Sequence, residues 1–139
     1  MGILATRLAG FVLPLMLAAC AGEGPGSMTF TGDRGTTDQP YPANYKPELL
    51  AFMKTYLNNP VGVKEAMLAE PVQGTVGGRL RYVTCLRYNA KDSDGYFRGQ
   101  RERAVLYVDA RLDRIIEDAG EVCAGAVYAP FPELEKMTR

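Results

Sequence analysis

Arg79-Leu-Arg-Tyr-Val-Thr-Cys-Leu-Arg-Tyr-Asn-Ala90 is the stretch on which the fold reading turns. Leu80, Tyr82, Thr84, Leu86 and Tyr88 fall on one side of an extended chain, and Arg79, Arg81, Val83, Cys85 and Arg87 on the other. A period of two is that of a half-buried strand. Gly74, Gly77 and Gly78 mark the change of period before it. Lys91-Asp-Ser-Asp-Gly95 follows as a polar turn cluster, with Gly to take positive φ. A second alternating run, about Gln100 to Asp109, sets Ala104, Leu106 and Val108 against Arg101, Arg103, Val105 and Tyr107. The two runs predict an antiparallel hairpin. Residues 111–119 fit two templates: Leu112, Ile115, Ile116 and Ala119 have helical spacing, whereas Arg114-Ile-Ile-Glu117 suits a third strand after a turn at Asp109-Ala-Arg111. The strand is favoured because a two-stranded sheet is marginal alone.

Upstream, Pro47 to Leu57 predicts a helix. Leu49, Leu50, Met53, Tyr56 and Leu57 make one apolar face. Pro47 suits the first turn, Glu48 complements the positive end of the helix dipole, and Asn58-Asn59-Pro60 stops it. Asn59 as N-cap and Pro60 at the first helical position predict a second helix, with Val63, Ala66 and Met67 as its apolar stripe and Pro71 ending it near Glu70. The tail Tyr128 to Met137 is too rich in Pro for a long element, and Phe131 and Leu134 are expected to pin it to the core. The expected class is therefore α+β: two N-terminal helices on one face of a small antiparallel sheet, facing its even-numbered residues.

Composition narrows function by exclusion. Lys plus Arg is 16 and Asp plus Glu is 16, so the chain as a whole is not a strongly basic nucleic-acid binder. There is no His, hence no imidazole base and no His metal site. Ser27 and Ser93 are the two serines, one in a Gly-rich stretch and one in a turn, and neither looks like a nucleophile. Asp109 and Asp113 are the conceivable carboxylate pair, but acids in a turn are common. Gly74-Thr-Val-Gly-Gly78 matches no phosphate-loop or dinucleotide fingerprint. The reading is non-enzymatic, with no catalytic residue, cofactor or metal.

The N-terminus carries an address. Arg7 precedes Leu8-Ala-Gly-Phe-Val-Leu-Pro-Leu-Met-Leu-Ala-Ala19, an uncharged run too short for the ~20 residues a membrane-spanning helix needs. Leu17-Ala18-Ala19-Cys20 resembles the lipobox of bacterial lipoprotein precursors. The resemblance implies that residues 1–19 are a signal peptide cut before Cys20, and that Cys20 carries a diacylglycerol on sulfur and an amide-linked acyl group. Two or more chains anchor stably, at about 0.8 kcal/mol per buried CH₂. Ala21 after the Cys, in place of Asp, implies the outer membrane and a periplasm-facing body. Residues 20–45, with repeated Gly and Pro, read as a flexible tether, with Tyr41 and Tyr45 at the start of the folded part and 46–139 as one domain.

With Cys20 taken by lipid, Cys85 and Cys123 are left, and the oxidising periplasm makes their disulfide the expected staple. Two thiols without His cannot complete a structural zinc site. The element order over residues 47–118 also resembles, in layout alone, small outer-membrane assembly lipoproteins of the SmpA/OmlA type, which have two helices on a three-stranded sheet. None of that family's diagnostic motifs stands here. The 20–139 chain is more similar to small envelope lipoproteins from which no activity can be carried over.

The basic stripe is the candidate binding surface. Arg79, Arg81, Arg87, Arg101 and Arg103 are expected to project from one sheet face, with Lys91 and Arg98 nearby. Arg forks suit phosphate and carboxylate. The plainer alternative is a solvated face whose Arg stems cover Val83 and Val105. Two functions follow: a membrane-anchored accessory that binds another envelope component, or a periplasmic inhibitor or anionic-ligand module using the Arg face. Tyr82, Tyr88, Tyr96 and Tyr107 read as sheet packing rather than a stacking platform.

Overall fold

The computed structural model describes residues 38–139. The expected signal peptide, Cys20 and most of the expected tether lie outside the described residues. Helix α1 (Tyr45–Tyr56) is followed by strands β1 (Lys64–Ala69), β2 (Val72–Val76), β3 (Arg79–Asn89), β4 (Arg101–Val108), β5 (Arg111–Ile116) and β6 (Tyr128–Pro130), then a four-residue helix α2 (Pro132–Glu135). All pairings are antiparallel, in the order β5-β4-β3-β1-β6, with β2 also on β3.

The expected class is corrected. Among the described residues the fold is a six-stranded antiparallel sheet with one helix of useful length, not two helices on a small sheet. The first expected helix is α1, where Leu49 and Met53 are fully buried and Leu50, Tyr56 and Leu57 pack beside them. The second does not exist. Its residues form β1, which pairs with β3 on one side and β6 on the other. Local signals at Asn59-Pro60 favoured a helix, but two neighbouring strands compete for the backbone of 64–69 and win. Glu65 takes a positive φ of 53° where the β1–β3 register shifts. Its carbonyl accepts a hydrogen bond from Gln100 Nε2 at 2.9 Å, and its carboxylate one from Asn89 Nδ2 at 3.4 Å. Past this bulge, Ala66 and Leu68 turn to the α1 side with period two. The layout likeness to two-helix assembly lipoproteins loses the element it rested on.

β3 organises the sheet. Its first half pairs with β2 across Val76-Gly77-Gly78-Arg79, where both glycines have positive φ, as a two-residue hairpin turn requires. Its second half pairs with β1, and Tyr82–Tyr88 pair with β4. The favoured third strand is present as β5. On one face, α1, Phe131 and Leu134 cover Leu86 and Tyr88 of β3 with Val105 and Tyr107 of β4. The tail is thus pinned as expected. Glu48 Oε1 accepts the Leu112 N–H at 2.7 Å and the Tyr45 carbonyl accepts the Tyr107 hydroxyl at 3.3 Å, which fix α1 over β4 and β5. The packed body also begins before residue 46. Gln39 and Pro42 are buried, Gln39 Oε1 accepts the Asp109 N–H at 2.9 Å, and Tyr41 packs edge-on to Tyr82.

The opposite face is covered without a helix. Cys85 and Cys123 form the expected disulfide, with Cα atoms 5.8 Å apart. It holds the segment after β5 against Val83, Ala104 and Leu106, with Ala69 and Ala119 completing a second, smaller core. In the chain-entropy model a loop of this length contributes on the order of 3–4 kcal/mol.

Asp109 and Ala110 form the β4–β5 turn with φ of 50° and 65°. The left-handed conformation costs a Cβ-bearing residue about 1–2 kcal/mol, part of which glycine returns as lost freedom on folding. Ala110→Gly is expected to raise the unfolding free energy by about 0.5–1 kcal/mol in urea titration. Destabilisation by that variant contradicts the turn geometry.

Candidate functional site: an apolar groove beside the disulfide

The five arginines singled out by sequence do not share a face. The β3–β4 register sets Leu86 opposite Arg103, Arg87 opposite Glu102 and Tyr88 opposite Arg101. Even-numbered residues of β3 therefore share a face with odd-numbered residues of β4. Arg79, Arg81 and Arg87 lie on the disulfide face, Arg101 and Arg103 on the α1 face. Arg79 and Arg87 are eight residues apart on one strand, roughly 26 Å. Most of the set is also engaged. Arg81 is 7% exposed and donates from Nη1 to the Leu80 carbonyl at 2.8 Å. Arg87 donates from Nε to Glu102 Oε2 at 3.0 Å and lies 4.1 Å over the Tyr128 ring. Glu102 Oε2 also accepts the Tyr128 hydroxyl at 2.6 Å. Burial, then this carboxylate, raises the Tyr128 pKa. Arg103 donates from Nη1 to the carbonyls of Glu102 and Glu117.

Arg101 and Arg103 instead border a shallow cup of about 320 Å³, with Tyr56, Tyr88, Lys91, Asp92, Arg98 and Glu117 on its wall. Its four cations, Lys91, Arg98, Arg101 and Arg103, face two carboxylates, Asp92 and Glu117. Arg98 Nε donates to Asp92 Oδ2 at 2.6 Å, and the Tyr56 hydroxyl donates to Glu117 at 2.6 Å. The Tyr56 pKa is pushed up to about 12, by burial first and by the Glu117 hydrogen bond second. The Glu117 pKa is lowered by that same hydrogen bond, then by Arg103. The expected aromatic roles divide: Tyr88 and Tyr107 are buried in the core, Tyr82 packs on Tyr41, and Tyr96 is exposed. Asp109 is held in the β4–β5 turn, four positions before Asp113, which is exposed on β5.

The larger concavity is elsewhere. A groove of about 860 Å³ opens on the disulfide face between β2 and residues 121–129. Val72, Gly74, Val76 and Val83 form its floor, and Ala124, Ala126 and Val127 its far wall. Val72 is 65% and Val127 85% exposed, large for apolar side chains on so small a body. The charged side chains among its lining residues are Glu70 and Glu121, both exposed, and no Lys or Arg is among them. The groove exists because β1 and β2 form one interrupted strand along β3. β6 covers the outer edge of β1 at Met67–Ala69, and no described strand covers that of β2. Sequence reasoning missed this site. Its one local signal was the apolar, uncharged Pro71-Val-Gln-Gly-Thr-Val76, a short strand that Pro71 detaches from β1.

No protein-family model, curated protein or solved structure matches this chain.

The cup also contains a titrating turn. The Asp92 carboxyl lies below its ordinary 3.8, chiefly through the Arg98 hydrogen bond and next through the Tyr96 N–H, against a smaller opposing effect of desolvation; the Asp94 N–H adds to the lowering. A depressed carboxyl stabilises the fold fully above its unfolded value and loses that contribution as pH falls through the folded one. The Arg98 Nε and Tyr96 amide resonances are expected to hold down to pH 3.8 and shift together below it. Asp92→Asn should abolish that step. A midpoint above pH 3.8 contradicts the pairing.

Proposed function

We propose that this chain is a non-enzymatic envelope lipoprotein that holds another envelope protein against the periplasmic side of the outer membrane. Cys20 carries the acyl anchor, the residues after it span the gap, and the disulfide-stapled sheet presents the groove. Three things support the reading. The Leu17-Ala-Ala-Cys20 sequence resembles a lipobox, the Cys85–Cys123 bond is one that forms and persists in an oxidising compartment, and the groove offers apolar surface to a partner. The observation that carries the partner role is the groove with Val72 and Val127 exposed at its two sides. The anionic-ligand alternative loses the single-face cluster it was built on, because its arginines lie on two faces and Arg81, Arg87 and Arg103 are bonded within the chain.

Two linked outcomes are expected in cells. Cys20→Ser should leave the protein without acyl chains and with residues 1–19 uncut, by intact mass. A photocrosslinking residue at position 127 should give one discrete adduct in the wild-type background, and the same residue at exposed position 96 should not. A cut or acylated product in the first case, or equal adducts at both positions in the second, contradicts the proposal.

A further inference from the structure

The cup at the end of α1 holds more positive charge than it uses. Lys91, Arg98, Arg101 and Arg103 stand on its wall against the carboxylates of Asp92 and Glu117, which leaves two positive charges over. Both carboxylates are already engaged. Asp92 accepts Arg98 Nε and the N–H groups of Asp94 and Tyr96, and Glu117 accepts the Tyr56 hydroxyl. Arg101 is exposed, and it makes no hydrogen bond or ion pair among the described residues. Arg103 uses Nη1 for two carbonyls, while its buried Nε has no partner among the described residues.

The surroundings do not cancel this charge. Lys91 and Lys64 lie 5.6 and 4.0 Å from the centre of the Phe97 ring, so a fifth cation stands near the wall, and the Glu65 carboxylate next to it in the chain is tied to Asn89. α1 brings its carbonyl end to the rim at Leu57 and Asn58. Such an end carries about half a negative charge, and Lys54 in the last turn offsets it. The exposed Asp94 and Asp118 are not among the lining residues. Arg101 and Arg103 converge. Two positions apart on β4, they share a face, and both act electrostatically on the Tyr88 hydroxyl and the Glu117 carboxylate. Tyr56, Leu57 and Ala90 supply apolar surface beside them. At about 320 Å³ the cup is at the small end of ligand sites, which run to about 300–1,000 Å³, and a bare ion would leave much of it to water.

We propose that this cup binds a phosphomonoester, with the phosphate on Arg101 and Arg103 and the organic part against Tyr56 and Leu57. A phosphomonoester carries about 1.5 to 2 negative charges at pH 7 and three strong acceptor oxygens. It thus matches the surplus charge, and the planar fork of Arg101 can pair with it through two parallel bonds. A carboxylate would answer only half of the surplus. The cup lies on the α1 face, opposite the groove, and its role stands or falls independently of the groove's.

The test titrates phenyl phosphate into the full-length lipidated protein in phosphatidylcholine nanodiscs at low salt, followed by calorimetry and by the arginine Nε–H resonances. Saturable binding with a Kd of about 1 mM or tighter is expected. The Arg98, Arg101 and Arg103 resonances should shift and that of Arg79 should not. Benzoate should bind at least fivefold more weakly. Arg101→Gln should weaken phenyl phosphate at least fivefold, and Arg79→Gln, the same charge change on the other face, less than twofold. Glu117→Gln keeps an acceptor for Tyr56 but removes a competing anion, so it should tighten binding at least twofold. Phosphatidic acid in the nanodisc separates the sources of the phosphate. The same resonances move before phenyl phosphate is added if a lipid headgroup enters the cup, and only afterwards if the ligand is soluble; either result supports the site. No saturable binding, benzoate equal to phenyl phosphate, equal losses from Arg79→Gln and Arg101→Gln, or weaker binding by Glu117→Gln would overturn the proposal.

Discussion

The constraint on which this structure depends is that β3 is paired on both edges and buried on both faces. An eleven-residue strand in that position must place apolar residues on two sides, and it does: Leu86 and Tyr88 toward α1, Val83 and Cys85 away from it. A strand of this kind cannot end a two-layer fold. Its second face needs a cover, and among the described residues no helix lies on it. The cover is the irregular segment after β5, held by the bond from Cys123 to Cys85. A small body with two thin cores gains much from such a covalent tie, because the burial available to each core is modest.

The functional surface follows from the same constraint. The cover is short. It reaches β1 through β6 but leaves β2 open along its outer edge, and the groove is the space it does not fill. Pro71 contributes by breaking the long strand partner of β3 into β1 and β2, so that one half is covered and the other is left as an edge. Fold and groove are thus linked by one shortage of covering chain.

Much of the framework was legible in the residues. The alternation from Arg79 and from Gln100 located β3 and β4, the apolar stripe of Leu49 and Met53 located α1, and the cysteine count located the disulfide. Three things were not legible, each for a physical reason. Val63, Ala66 and Met67 have helical spacing, the bulge at Glu65 lets a strand bury Val63 and Ala66 together, and the choice of strand is made by β3 and β6, which are distant in sequence. The faces of Arg101 and Arg103 depend on register, and a one-residue slip across the long 90–100 connection inverts every side chain of β4. The groove is a property of which edges are covered, and edge coverage is set by topology, not by local pattern. Cys20 and its lipobox are read from sequence alone.

The most direct measurement is hydrogen exchange of the full-length protein before and after reduction of Cys85–Cys123 under native conditions. If the covalent tie is what makes the second face a buried face, reduction should accelerate exchange first and most in residues 117–129 and in β2. Amides of α1, which packs on the other core, and of β4 and β5, which also contribute Val105, Tyr107, Leu112 and Ile115 to it, should keep most of their protection. Protection that is unchanged everywhere, or that collapses uniformly through α1 and β5 as fast as through β2, would contradict the claim that this bond builds the face on which the groove stands.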